Sequence, residues 1–302
     1  MEGVVVKPYP EQEQHAEPTA VLTDGLARAI RGTATDIAAM LRPVADTDGI
    51  VPGLKWTLGE TAAHLAQSNW FFAEVAAGQP HTHGDGTPAS IAEANEQALA
   101  LWPERRAEPL AEMIVEQSEA FIGAASVRSP EERRRTPMGE MDLPTMGSYF
   151  LTHMLGHCFD IAGAVDAPHG VDRERVEAAL PFVRHALPLI FVSDAADGLT
   201  ARYSVHLRGG AALGVSIDGG RIDVRPGPLE RPDWVLDAEP ATFLRIVLGR
   251  EDPAAAVERG EFEVRAPELS EGRDPNQGPH PDPDPNPDPA PAVRFGALFR
   301  AP

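Results

Sequence analysis

Thr152-His153-Met154-Leu155-Gly156-His157 sets two histidines four residues apart. On an α-helix that spacing stacks both imidazoles on one face, one turn apart. The residues around them, about 145–165, read as a long helix. A third histidine, His64, falls on a separate amphipathic stretch, Trp56-Thr57-Leu58-Gly59-Glu60-Thr61-Ala62-Ala63-His64-Leu65. There Thr57 and Glu60 have the spacing of a capping box, which predicts a helix from about Thr57 to Ala77. Three neutral imidazoles converging from two helices could hold a divalent metal and leave a coordination position open. That is the pattern of a catalytic site rather than a closed structural one. The cost of a buried imidazole without a partner favours a shared ligand; the competing reading is two separate hydrogen-bonded core histidines and one surface histidine.

Working outward, Val21, Leu22, Leu26, Ile30, Ile37, Met40 and Leu41 recur near helical spacing and predict a helix over 20–41. A third helix is expected from about Ser90 to Leu101. It continues past a break at Pro103, through Glu108 to Phe121, and loop chemistry follows from Ser129 to Pro144. Four long helices around a central site describe a bundle. After about Leu199 the period changes to two. Thr200–Arg208, Ala212–Ile217 and Arg221–Val224 read as strands, with Asp218-Gly219-Gly220 as a hairpin turn. Asp233–Asp237 and Glu261–Arg265 read as further strands, and Pro240–Leu248 and Pro253–Glu258 as short helices. The expected fold class is therefore α plus α+β. Residues 1–18 are a flexible N-terminus, 19–170 the helical bundle, 171–199 a connecting helix, and 200–302 a small α+β domain. A Pro/Asp-rich insertion occupies 272–291 and reads as an extended, polyproline-like loop. The apolar Val293–Phe299 beyond it could dock back as a last short element.

The chain has 302 residues, with a hydrophobic share of 42% and a charged share of 24%, as in ordinary globular proteins. A net charge of −20 argues against a nucleic-acid partner. No stretch approaches the roughly 20 apolar residues of a membrane span. Met1–Pro8 lacks the apolar core of a signal peptide, so the expected location is cytoplasmic. The single cysteine, Cys158, rules out an intrachain disulfide and a cysteine-rich zinc site. Although it follows His157, neighbouring helical side chains point about 100° apart, so Cys158 is read as buried and inert. Lys7 and Lys55 are the only lysines, a bias that suits a GC-rich bacterial host.

Asp160, three residues after His157, could orient that histidine or touch the ligand from one shell out; a plain solvated or capping role is the alternative. His81 and His83 lie in a Gly-rich loop and read as surface residues. His169 precedes Gly170 in a turn and has no obvious partner. An anionic substrate would need an arginine clamp, for which Arg105, Arg106, Arg202 and Arg208 are candidates.

Trp56–Ala66 resembles the Trp-to-His signature that opens the metal-binding domain of mycothiol-dependent maleylpyruvate isomerases, within the wider DinB-like four-helix family. His153–Ile161 resembles that family's second metal signature, which ends in His-x-x-Asp. Thr242–Pro253 and Gly260–Val264 resemble the sterol-carrier-like domain that follows it. The resemblance implies a divalent metal, most simply zinc, held by His64, His153 and His157, with Asp160 among the catalytic residues. It also implies mycothiol as co-substrate and an actinobacterial host. Two features depart from the family: the position of His153 is glutamate in some isomerases, and the Pro/Asp-rich insertion is not a family trait.

The implied chemistry is that of a nucleophilic thiol. Coordination lowers a thiol's pKa, and the thiol can add to an electron-poor double bond. Rotation and elimination give cis–trans isomerisation, whereas transfer of the thiol gives a conjugate, so isomerase and S-transferase stand side by side. Two other classes remain open. One is a non-catalytic carrier holding a lipophilic molecule in a groove of the C-terminal half, lined by Trp234, Leu236, Phe243 and Leu244. The other is a degenerate metal-binding interaction protein.

Overall fold

Thr57 starts the histidine-bearing helix as its sequence requires. Its hydroxyl accepts from the Glu60 N–H at 3.1 Å, and the Glu60 carboxylate accepts from the Thr57 N–H at 2.9 Å. In this computed structural model, which describes residues 21–196, 198–265 and 290–299, that helix is the second of the N-terminal half. The half runs α1 (Asp24–Leu41), α2 (Leu58–Ala76), α3 (Pro88–Leu101), α4 (Ala107–Ser126), a hairpin of β1 (Arg133–Thr136) and β2 (Gly139–Asp142), and α5 (Leu143–Ala164). The expected flexible stretch 1–18 lies outside the described residues.

The bundle is built from α1, α2, α4 and α5, while α3 packs chiefly against α2 among them. The expected long third helix is thus two helices, and the second of them is the bundle member. Pro103 forbids a continuous run, and the extended backbone of Trp102 and Arg106 separates the two. The bundle core holds Ile30, Ile37, Leu65, Leu110, Ile114, Phe121 and Phe150, all fully buried. Gly59 is where α2 crosses the α3–α4 connection: a Cβ there would stand 2.9 Å from the Arg105 carbonyl oxygen and 2.9 Å from Thr47 Oγ1. Contrary to expectation, 129–144 is not all loop. Arg133-Arg134-Arg135 forms a strand paired with β2, Arg133 and Arg134 meet Glu140 and Glu132, and Gly139 (φ +97°) closes the turn. Three consecutive arginines hide a strand from any hydrophobic pattern.

The chain continues through α6 (Arg173–Ala186) and a 3₁₀ turn at Ser193–Ala196. The second half then comprises β3 (Ala201–Leu207), β4 (Ala212–Asp218), β5 (Arg221–Pro226), β6 (Trp234–Ala238), α7 (Pro240–Val247), α8 (Pro253–Glu258), β7 (Phe262–Arg265) and α9 (Ala290–Ala297). The sheet order is β5-β4-β3-β6-β7, antiparallel except for the β3–β6 pair. Gly219 and Gly220, both at positive φ, make the two-residue hairpin turn that the sequence announced. α6 touches α1 and α5 of the bundle as well as α7 and β5 of the sheet half, so it packs on both.

Residues 272–289 of the Pro/Asp-rich insertion lie outside the described residues, and its last two, Ala290 and Pro291, open α9 rather than a loop. α9 docks through Phe295, fully buried between Tyr203 (ring centroids 5.2 Å apart) and Phe262 (6.4 Å). Leu236, Phe243 and Leu244, groove candidates only under the carrier reading and otherwise plain core, are fully buried, and Trp234 is 38% exposed. Among the described residues no helix is long and apolar enough to cross a membrane.

Candidate metal centre

α2 and α5 pack side by side and bring His64, His153 and His157 together, with one ligand-type nitrogen of each within 4.8 Å of the others. His64 Nε2 and His153 Nε2 are 3.3 Å apart. A neutral hydrogen bond would give that distance. So would two ligands on one tetrahedral ion with metal–nitrogen bonds of 2.0–2.1 Å, whose edge is about 3.3 Å. His157 completes the group, its ring 5.0 Å from His64 and 4.7 Å from His153. His64 and His157 are buried and His153 is partly so. Burial is the first cause that lowers the pKa of both His64 and His153, and the neighbouring His157 lowers them further. Both rings are therefore held neutral, the state that binds a metal. The Nδ1 of His153 is buried with no hydrogen-bond partner. Two buried rings held neutral, with a third imidazole in reach and one ligand-type nitrogen of each within 4.8 Å of the others, are a donor set that fits a divalent ion.

The signature residues have visible jobs. The Trp56 ring lies 4.8 Å from the His64 ring, and its Nε1 donates to Glu96 on α3 at 3.1 Å, fixing the wall behind His64. Asp160, buried at 5% exposure, sets Oδ2 3.0 Å from His157 Nδ1, at an angle short of a straight hydrogen bond. That approach leaves the Nε2 of His157 for the cluster and sets Asp160 where a carboxylate can orient the ring. Burial works to raise the Asp160 pKa, but the bonds and charges of His157 and Arg250 outweigh it and hold the carboxyl below its ordinary range.

Arg250 was not among the expected arginines. It comes from the sheet half, just past α7. Gly249 (φ +69°) ends that helix, with the Arg250 N–H returning to the Arg245 carbonyl at 2.8 Å. Its guanidinium grips Asp160 with both prongs, Nε to Oδ1 at 3.2 Å and Nη2 to Oδ2 at 3.1 Å. The available signal was Leu248-Gly249-Arg250 at the end of an amphipathic helix, a cap that turns the following side chain back. The four expected arginines have other partners. Arg105 serves the carbonyls of Leu99, Trp102 and Glu104. Arg106 pairs with Glu104, Arg202 donates to the Arg231 carbonyl, and Arg208 sits among Asp237, Glu239 and Glu263. None of the four lines the cavity at the histidines.

That cavity measures about 570 Å³ and opens beside the three histidines. His81 and His83 line it rather than the outer surface. Gly84 (φ +69°) turns their loop back over α2, where both rings meet Phe71, at 5.7 and 5.6 Å. His83 Nε2 is 2.7 Å from Asn95 Oδ1, and His81 Nε2 is 3.8 Å from Glu74. Two other expectations concern residues near α5. Cys158 is fully buried; its thiol donates to the His169 carbonyl at 3.1 Å, and burial pushes its pKa up to about 12. His169 does have partners: its Nδ1 accepts from the Val171 N–H at 3.0 Å, and its ring meets Phe159.

Fold and site together define a class: a helical bundle bearing a three-histidine cluster, followed by a sterol-carrier-type α+β segment. Residues 192–265 match the family model of the SCP-2 sterol transfer family. The chain is similar in fold to two crystal structures of the mycothiol-dependent maleylpyruvate isomerase, one of them a point mutant. Each is 13% identical and covers 84% of this chain and 95% of that one, with TM-scores of 0.49 and 0.48. A more distant likeness is to the inverting sec-alkylsulfatase Pisa1 from Pseudomonas sp., at 14% identity and a TM-score of 0.27, covering 66% of this chain and 30% of that one. No curated protein sequence matches the chain.

Proposed function

We propose that this chain is a metal-dependent enzyme that uses a low-molecular-weight thiol, mycothiol in the first instance, on a small electrophile. The observation that carries this reading is the convergence of His64, His153 and His157 at the wall of a ligand-sized cavity. The thiol rests on the sequence resemblance of Trp56–Ala66 and His153–Ile161. A zinc ion held by the three imidazoles would lower the pKa of a thiol at its open position. The protein's own groups do the rest. Asp160 holds the His157 ring in orientation, Arg250 balances the Asp160 charge, and Trp56 backs His64. The apolar wall keeps water from the reacting atoms. Addition to a double bond followed by rotation and elimination is isomerisation; transfer without elimination is conjugation.

A carrier function has the SCP-2 match of residues 192–265 in its favour, but Leu236, Phe243 and Leu244, three of the four side chains that would line its groove, are packed core. Elemental analysis of the purified chain, paired with thiol-consumption and isomerisation assays, tests the proposal. About one metal per chain is expected, lost together with activity in His64→Ala. A metal-free wild type whose turnover survives His64→Ala would end it.

A further inference from the structure

Around and beside the histidines the cavity lining includes Trp56, Phe71, Phe72, Trp102, Tyr149 and Phe182. Two side chains of permanent positive charge, Lys55 and Arg250, belong to the lining, and both are already engaged. Lys55 Nζ lies 2.5 Å from Glu96, and Arg250 is spread over both oxygens of Asp160 and the Leu248 carbonyl. His83 Nε2 and Asn95 Oδ1, also in the lining, face each other at 2.7 Å. A small dianion entering here would shed its hydration against aromatic faces with no free guanidinium to replace it. The chain's net charge of −20 adds no attraction. Apolar surface also continues past the mouth: Trp70 and Leu101 line the cavity yet are 44% and 85% exposed. Leu189, 56% exposed, adjoins the lining residue Ile190.

We infer that the cavity is selective for an uncharged molecule with an aromatic body and rejects small dicarboxylates. This rests on the reading of the cavity as the substrate site. With the open metal position given to the thiol, the remaining space offers flat apolar faces, and offset or edge-on ring contacts suit an aromatic guest. A volume of about 570 Å³ is in the range of pockets that enclose drug-sized ligands.

Fluorescence titration of the full chain with N-phenyl-1-naphthylamine, an uncharged aromatic probe, tests the inference. Saturable binding is expected, displaced by the uncharged aromatic enone benzylideneacetone and untouched by maleate or fumarate in large excess. Phe71→Asp should weaken the probe roughly tenfold or more by setting a charge in the wall. Leu101→Asp, on an exposed rim position where folding is not at risk, should weaken it severalfold. Circular dichroism checks that Phe71→Asp is folded. Absence of probe binding, displacement by maleate as effective as by the enone, or unchanged affinity in Leu101→Asp together with folded Phe71→Asp overturns the inference. Metal content of the same samples separates the two readings. Probe binding without metal sinks the metal enzyme but supports the apolar cavity, and metal without probe binding does the reverse.

Discussion

Asp160 shows how one side chain ties chemistry to stability. Its carboxylate is buried, faces His157 Nδ1 and is gripped by Arg250, so neutralising it removes the group that fixes the imidazole. Asp160→Asn should lower metal affinity about 10–100-fold, read by competition with a chromogenic chelator, while the fold persists. Glu261, which does not line the cavity, provides a comparison. A hydrogen bond from Arg259 chiefly holds its carboxyl at about 2; burial opposes this, while Thr242 and the charges of Arg259 and Arg245 assist. The folded pKa lies below the ordinary 4.5, so the stabilisation is complete above pH 4.5 and is lost as pH falls towards 2. Glu261→Gln should flatten the acid limb of the stability profile in that window, measured by urea midpoints at successive pH values. The side chain is about a third exposed, so screening keeps the effect modest.

At the scale of elements, helix starts follow local chemistry, but helix contacts depend on partners from elsewhere in the chain. α6 contains Pro181, which breaks the backbone ladder inside a helix. Ser148 of α5 packs against the break: its hydroxyl accepts from the Phe182 N–H at 3.0 Å and shares its one proton between the Ala178 and Ala179 carbonyls (3.0 and 2.9 Å). Ser148→Ala would remove these contacts and should cost about 1 kcal/mol in chemical denaturation. The contact also sets the position of Phe182, whose ring stacks on Tyr149 at 4.1 Å and lines the cavity. A serine in α5 thus joins the bundle to the connecting helix, a role its own sequence neighbourhood does not reveal.

Across the whole molecule, the two halves meet at Arg250. It crosses from the end of α7 to the buried Asp160 of α5, so the sheet half supplies one wall of the bundle's site. Arg250→Ala would strand a buried carboxylate, at a cost of about 2–3 kcal/mol given that the guanidinium is itself partly exposed. Arg250→Lys should recover part of that loss, since an ammonium keeps the charge but not the two-pronged grip. Thermal melts with and without added zinc would resolve both effects. The sequence determined what depends on neighbours along the chain. The four-residue spacing set His153 and His157 on one helix face, and the Thr57–Glu60 box began α2. The Gly219-Gly220 turn closed its hairpin, and period-two alternation marked the sheet. Tertiary structure decided what depends on distance in space. It alone showed which helices form the bundle and that β1 is a strand built from arginines. Packing also put His81 and His83 inside the cavity and Arg250, rather than Arg105 or Arg208, beside the histidines. The division has a physical cause: caps, turns and periodicity act within a few residues, whereas Arg250 and Asp160 lie 90 residues apart and meet only when both halves have packed.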